Sequence, residues 1–341
     1  MGLLRLLFAI AVVIFHSHPL FGYESIGGTL AVHSFFIISG FYMALILNEK
    51  YTGKHSYKLF ITNRFLRIYP LYWTILGITV FVAFLNFFAN PQNPLAMIHL
   101  VVSAVSHPSI FATIGSLANH ILRNITLIVT PDYFTQNFTS TASLWVQPAW
   151  SLQVELLFYL IAPFIVLMRI KALSLLTLIF LIIPPFLIYP NHLNDTSITY
   201  IFLEKLIFFL VGILSYKTYK ILKNKPIKNI LLLFIFIAIL LFTFWYRPVA
   251  NLDWIYYVAL SLSIPFVFML TNANPIDRFL GNLSYPIYIS HMLVIKLLSR
   301  ILSDTNSLFM LSLFPILLFV SFLLWKYVDK PIDRYRQRRL H

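Results

Sequence analysis

Arginine and histidine within apolar helices are the residues in this sequence best suited to chemistry. An ionisable group held away from water is costly, and it marks a ligand path or a proton path. Arg5 and His16 both fall in the first apolar run. Helical steps of about 100° per residue bring their side chains to within about 20° of one face, with a rise of about 16 Å between them. Arg5 then stands at one interface, and His16 lies deeper on the same stripe. Taken singly, Arg5 also reads as a snorkelling topology anchor and His16 as an interhelical hydrogen-bond partner. Taken together, they suit a cation that holds an anionic ligand at the surface and a base further in.

The elements that must position these groups are membrane helices. The chain of 341 residues is 60% hydrophobic and 11% charged, with a mean hydropathy of +0.83, where a soluble domain carries about 25% charged residues. Ten apolar runs predict spans over 3–22, 29–48, 68–88, 150–168, 172–188, 201–219, 229–245, 254–271, 283–302 and 307–326, each near the length that crosses a hydrocarbon core of about 30 Å. The expected fold is an all-α polytopic membrane protein of about ten transmembrane helices. Residues 1–341 form a single membrane-embedded domain, with 327–341 as a basic cytoplasmic tail. The first run has no small-residue cleavage pattern after it and reads as a retained span. The stretch 89–149 is less regular, and its moderately apolar piece around 109–130 fits a re-entrant helix or a surface helix.

Charge sets the orientation. With the N-terminus inside, 20 of the 25 Lys and Arg residues fall on the inner side and 5 on the outer, which predicts that both termini are cytoplasmic. The net charge of +14 comes from residues lying between apolar runs. It therefore points to anionic headgroups as neighbours and not to nucleic acid. The Lys217–Lys228 cluster and the tail residues 334–339 read in the same way. There is no cysteine, which excludes disulfides, thiolate metal sites and a cysteine acyl-enzyme. No Walker loop, dinucleotide fingerprint or metal-ligand cluster is present, so no requirement for ATP, NAD or a metal is expected.

Arg5 and His16, in RLLFAIAVVIFH, resemble the Arg-x10-His signature of the bacterial acyltransferase-3 family of integral membrane O-acyltransferases. Four further segments agree in family order: SFFIISGF at 34–41, RFLRIYPLYW at 64–73, AWSLQVELLFY at 149–159 and LSYPIYISH at 283–291. Two positions depart from the pattern. His33 stands where many relatives carry an acidic residue, and Asp329 stands two residues before Pro331 where relatives often carry Glu. The chain ends soon after the tenth span, so the membrane domain, or a separate protein, is expected to complete any transfer.

The resemblance implies transfer of an acyl group, commonly acetyl from acetyl-CoA, to a hydroxyl of a lipid-linked or polymeric sugar. The acceptor expected from it is a cell-surface glycan such as a lipopolysaccharide O-antigen or an exopolysaccharide, modified at the bacterial inner membrane. Arg64 and Arg67 lie three residues apart on one helix face. With Arg5 they suit the phosphates of the coenzyme, or act as positive-inside anchors. His16 is the candidate general base, taking the proton of the sugar hydroxyl as it attacks the thioester. Glu155 fits two roles, orienting His16 or binding the sugar, beside a plain interhelical hydrogen bond. His291 is assigned to the coenzyme, and His33 and Trp150 to the acceptor, with packing as the alternative for both histidines and interface anchoring for Trp150. Tyr69, Tyr72, Trp73 and Trp145 are expected at the membrane interfaces.

Two other classes of function compete. A transporter of a lipid-linked sugar or an organic anion would also use intramembrane Arg, His and Glu, but its inverted repeats or broken helices are absent from the sequence. A non-catalytic scaffold leaves the spacing of Arg5 and His16 without a purpose. Oligomeric state is open.

Overall fold

The computed structural model describes residues 1–17, 23–53, 55–89, 120–127, 144–183, 198–249, 252–302 and 307–340. Each predicted apolar run folds as a helix. In chain order these are α1 (Gly2–His16), α2 (Gly28–Glu49), α3 (Ser56–Ala89), α4 (Trp150–Val166), α5 (Ile170–Ile183), α6 (Ile198–Leu222), α7 (Asn229–Trp245), α8 (Asp253–Thr271), α9 (Pro275–Leu298) and α10 (Ser307–Leu324). A π-helical turn at Trp325–Asp329 leads into α11 (Lys330–Arg338). No strand forms among the described residues. Among the described residues, five segments are long and apolar enough to cross a membrane: Gly28–Glu49, Ser56–Asn86, Gln147–Val166, Asp253–Thr271 and Leu308–Arg338. Helices α1, α5 and α7 are apolar but shorter, while α6 and α9 carry charges such as Lys205, Lys217, Asp277 and Lys296.

The outward faces are as apolar as the core. On α7, Ile230 is 75% exposed and Phe234 69%. A helix that is hydrophobic all round belongs in a lipid environment when its outer face has no protein cover. The protein is a multi-pass membrane protein.

Glycines set how closely the helices approach. A Cβ on Gly40 of α2 would collide with the backbone carbonyl of Phe209 on α6, and one on Gly212 of α6 with the carbonyl of Ile37 on α2. The pair therefore packs backbone to backbone, as small residues allow in membranes. Gly2 and Gly281 do the same for α1 and α9. The Asp277 carboxylate of α9 closes that second junction. It accepts hydrogen bonds from the amides of Gly2 at 2.7 Å and Leu3 at 2.9 Å, and from the Met1 ammonium at 2.6 Å. A tertiary carboxylate thus satisfies the free N–H groups of the first turn of α1, where the helix dipole also favours negative charge.

Several helices differ in extent from the sequence reading. Helix α1 ends at His16, with Ser17 as its C-cap, so His16 stands at a helix end and not midway along a span over 3–22; residues 18–22 lie outside the described ones. Helix α3 begins at Ser56, not at 68, and runs through Pro70. Hydropathy marks the apolar part of that helix, and the basic turns that precede it are helical as well. Helix α9 begins at Pro275 because Asn274 caps it, accepting from the amides of Ile276 and Asp277. This Asn-Pro start is a standard helix signal that hydropathy alone overlooks. Much of 89–149 lies outside the described residues. Within it, residues 120–126 are helical and tied to α3 by Tyr69, Tyr72 and Trp73, which donate to the carbonyls of Thr126, Asn124 and Ile125. Tyr69 and Tyr72 are therefore buried packing groups, not free interface anchors.

The basic segment 327–341 is not a loose tail. Helix α11 folds back against α3. Arg339 donates to Asn63 Oδ1 and Thr62 Oγ1, both at 2.9 Å, and Arg336 is buried. Asp329, in the π-helical turn, is 5% exposed and accepts from Arg67 Nη1 at 2.8 and 2.7 Å through its two oxygens.

Two stability predictions follow from this packing. Gly212→Ala is expected to destabilise by about 1–3 kcal/mol through backbone overpacking. Gly77→Ala, with nothing within 4 Å of its added Cβ, is expected to be neutral or stabilising by up to about 1 kcal/mol from helix propensity; thermal unfolding in detergent compares the two. Removing either Arg67 or Asp329 alone should cost about 3 kcal/mol, because a buried charge loses its partner, whereas Arg67→Met with Asp329→Leu should cost less than the two single changes summed. A double-mutant cycle on unfolding midpoints measures that difference.

Candidate functional site

The convergence of α1, α2, α3, α4 and α9 encloses a cavity of about 230 Å³. Arg5 from α1 and Arg64 and Arg67 from α3 line it, so the three predicted guanidinium groups do meet in one place. Arg67 has its Nη1 held by Asp329, and its guanidinium lies over the Tyr285 ring at 5.6 Å. Arg64 lies over the rings of Phe60 and Tyr159, at 5.7 and 5.9 Å. Its Nε is buried without a hydrogen-bond partner. A buried N–H donor of this kind is costly unless a ligand satisfies it.

Glu155 lines this same cavity. Its Oε1 accepts from Ser39 Oγ at 2.7 Å and from the Tyr159 hydroxyl at 2.5 Å. His16, which Glu155 was expected to orient, lines a separate cavity. On α4, Trp150 faces that second cavity, and Glu155, more than one helical turn further on, faces the arginines. Both hydroxyl donors go to Oε1, which fixes the carboxyl group beside the three guanidinium groups.

The second cavity has a volume of about 590 Å³. His16, His33, Trp150, Lys205 and His291 line it, together with Gln147 and Thr29. His16 and His291 stand with ring centroids 5.3 Å apart. His291 is fully buried, and its Nδ1 lies 2.6 Å from the Tyr288 carbonyl. A carbonyl only accepts, so Nδ1 carries the proton and Nε2 keeps its lone pair. Nε2 has no partner. His291 therefore lines the same cavity as His16 and not that of the arginines. The three-residue spacing of Tyr285, Tyr288 and His291 already aligned these groups on one face of α9. Which way that face looks was set by the glycine junction with α1.

His33 is buried at 7% exposure. Its ring stacks on Phe208 at 4.1 Å between centroids, and its Nδ1 lies 2.7 Å from the Tyr257 hydroxyl. It lines the histidine cavity as a fixed part of the wall. Lys205 is one of the five basic residues predicted on the outer side. It forms an ion pair with Glu204 at 2.5 Å and also reaches the cavity. No cluster of three or more metal-ligating side chains occurs among the described residues.

The two cavities suit different ligands. Three guanidinium groups favour a ligand rich in phosphate. Imidazole groups beside an indole favour a hydroxylated ligand that offers a face for stacking. Arg5 and His16, at opposite ends of α1, serve one cavity each.

Comparison with known proteins identifies the family. The family model for an acyltransferase domain matches residues 1–326. The chain is similar to an uncharacterized protein of Haemophilus influenzae, 30% identical over 251 residues that span 69% of this chain and 93% of that protein. It is also similar to protein 2 in the picA locus of Rhizobium radiobacter, 29% identical over 149 residues, 43% of this chain and 71% of that protein. No solved structure matches it. With the family model covering nearly the whole chain, cavities and helices included, the chain belongs to the acyltransferase-3 family and is a membrane acyltransferase.

Proposed function

We propose that the protein moves an acyl group, acetyl in the first instance, from cytoplasmic acyl-CoA to a hydroxyl of a cell-surface glycan such as an O-antigen or an exopolysaccharide. It works in the bacterial inner membrane, with about ten spans and both termini in the cytoplasm. The observation that carries this reading is the sorting of side chains: Arg5, Arg64 and Arg67 in one cavity, and His16, Trp150 and His291 in the next.

Basic residues concentrate at the Arg5 end of α1 and beside α3, which supports a cytoplasmic mouth for the arginine cavity. The coenzyme phosphates pair with Arg5 and Arg64, and with the nitrogens of Arg67 that Asp329 leaves free. The coenzyme's arm runs along α1 and carries the thioester toward His16. The acceptor sugar lies against Trp150, with its hydroxyl at His16. His16 takes the hydroxyl proton as the sugar oxygen attacks the thioester carbonyl, and it returns that proton to the departing sulfur. Bringing both substrates to one wall replaces a bimolecular encounter with a positioned one. The acyl donor and the glycan acceptor are those that the family resemblance implies, and the two cavities offer each of them a place.

Acetyl-CoA consumption by purified protein in nanodiscs tests this directly. His16→Ala is expected to lower turnover about 100-fold or more, the range of a lost general base. Arg5→Ala is expected to raise KM for acetyl-CoA about tenfold, as for a lost charged hydrogen bond, with kcat largely retained. Full activity in a folded His16→Ala protein would remove His16 as the base. Wild-type protein that neither binds nor consumes acetyl-, succinyl- or longer acyl-CoA would overturn the acyl-transfer reading.

A further inference from the structure

Two residues line both cavities, Val32 and Tyr288. Of these, only Tyr288 brings a polar side chain to the shared wall. If the acyl donor comes from the arginine side and the acceptor from the histidine side, the reacting carbonyl must lie at this wall. We propose that the Tyr288 hydroxyl is the hydrogen-bond donor that stabilises the oxyanion of the tetrahedral intermediate. This assignment rests on the acyl-transfer reading above.

The surroundings of Tyr288 fit that task. Its ring is buried and packs edge-on against Phe35 at 5.8 Å between centroids, so its position is fixed before substrate arrives. Its hydroxyl lies 2.8 Å from Ser151 Oγ and 3.2 Å from the Pro148 carbonyl. Ser151 Oγ separately donates to the Pro148 carbonyl at 3.0 Å. Turning the Tyr288 proton toward a substrate oxygen therefore leaves that carbonyl bonded, and no buried acceptor is orphaned. The backbone carbonyl of Tyr288 also holds the proton on His291 Nδ1, next to His16. One residue thus presents a donor to the reacting carbonyl and fixes the tautomer of the neighbouring imidazole. A fixed donor aimed at developing charge in a site that excludes water is the arrangement that most lowers an acyl-transfer barrier.

The step balances as follows. The acceptor oxygen bonds to the thioester carbon while its proton passes to His16. The carbonyl electron pair moves to oxygen, which accepts a hydrogen bond from Tyr288. The intermediate collapses, the carbon–sulfur bond breaks, and the coenzyme leaves as its thiol with the proton from His16. Tyr288 keeps its own proton throughout and forms no covalent bond.

The test follows thiol release from acetyl-CoA in membrane vesicles of the native host. The chromosomal copy is deleted and each variant supplied in its place, so that the natural acceptor is present. Tyr288→Phe keeps the ring and its contact with Phe35. It is expected to lower kcat about 100-fold, as for loss of one oxyanion donor, with KM for acetyl-CoA changed by less than about twofold. Ser151→Ala breaks the same hydrogen bond from the other side and is expected to lower kcat by about fivefold or less. Tyr288→Phe with near wild-type kcat would overturn the assignment, as would Ser151→Ala with an equal loss, which would mark the pair as structural. Wild-type vesicles that release no thiol above the deletion strain would overturn the acyl-transfer reading itself, and this proposal with it.

Discussion

Backbone contact between helices is the constraint on which this structure turns. Where Gly2 meets Gly281, and where Gly40 and Gly212 meet the carbonyls of α6 and α2, helices pack without intervening side chains. Apolar side chains give no preference between protein and lipid, so closeness and polar contacts must supply the association. The α1–α9 contact sets His16 beside His291. The α2–α6 contact stacks His33 on Phe208. Asp277 then fastens α1 at its first turn, which fixes the height of Arg5 as well as of His16.

Polar groups are sorted by the same close packing. Hydrocarbon offers no hydrogen-bond partners, and several ionisable side chains turn inward to a protein partner or a cavity. Arg67 finds Asp329, Glu155 finds Ser39 and Tyr159, and His291 finds the Tyr288 carbonyl. Beside the two cavities, Arg64 Nε and His291 Nε2 are buried without a hydrogen-bond partner. One cavity gathers guanidinium groups and the other gathers imidazoles. On the proposed function, the two chambers let donor and acceptor approach one carbon atom without competing for space.

Much of this was legible in the sequence. Hydropathy located the ten helices, and the run at 229–245 coincides with α7. The family motifs named Arg5, Arg64, Arg67 and His16, and the structure gathers the three arginines around one cavity. Partnerships were not legible. Asp329 lies 262 residues from Arg67, and no local pattern links them. Glu155 and Trp150 share a motif, yet a helix turns about 100° per residue and sends them to different cavities. His291 was assigned by depth along its helix, whereas the contact partner of that helix decided its neighbours. Charged turns hid structure twice: α3 continues through the basic residues before Pro70, and the basic segment after α10 contains a docked helix.

The same long-range pair bears on how the protein is made. Arg67 leaves the ribosome well before Asp329, and the intervening chain must insert while that guanidinium lacks its carboxylate. The arginine cavity therefore reaches its final form only when the last described turns return to α3. Its assembly is a late event in biogenesis, and an insertion intermediate would hold its helices before that cavity was complete.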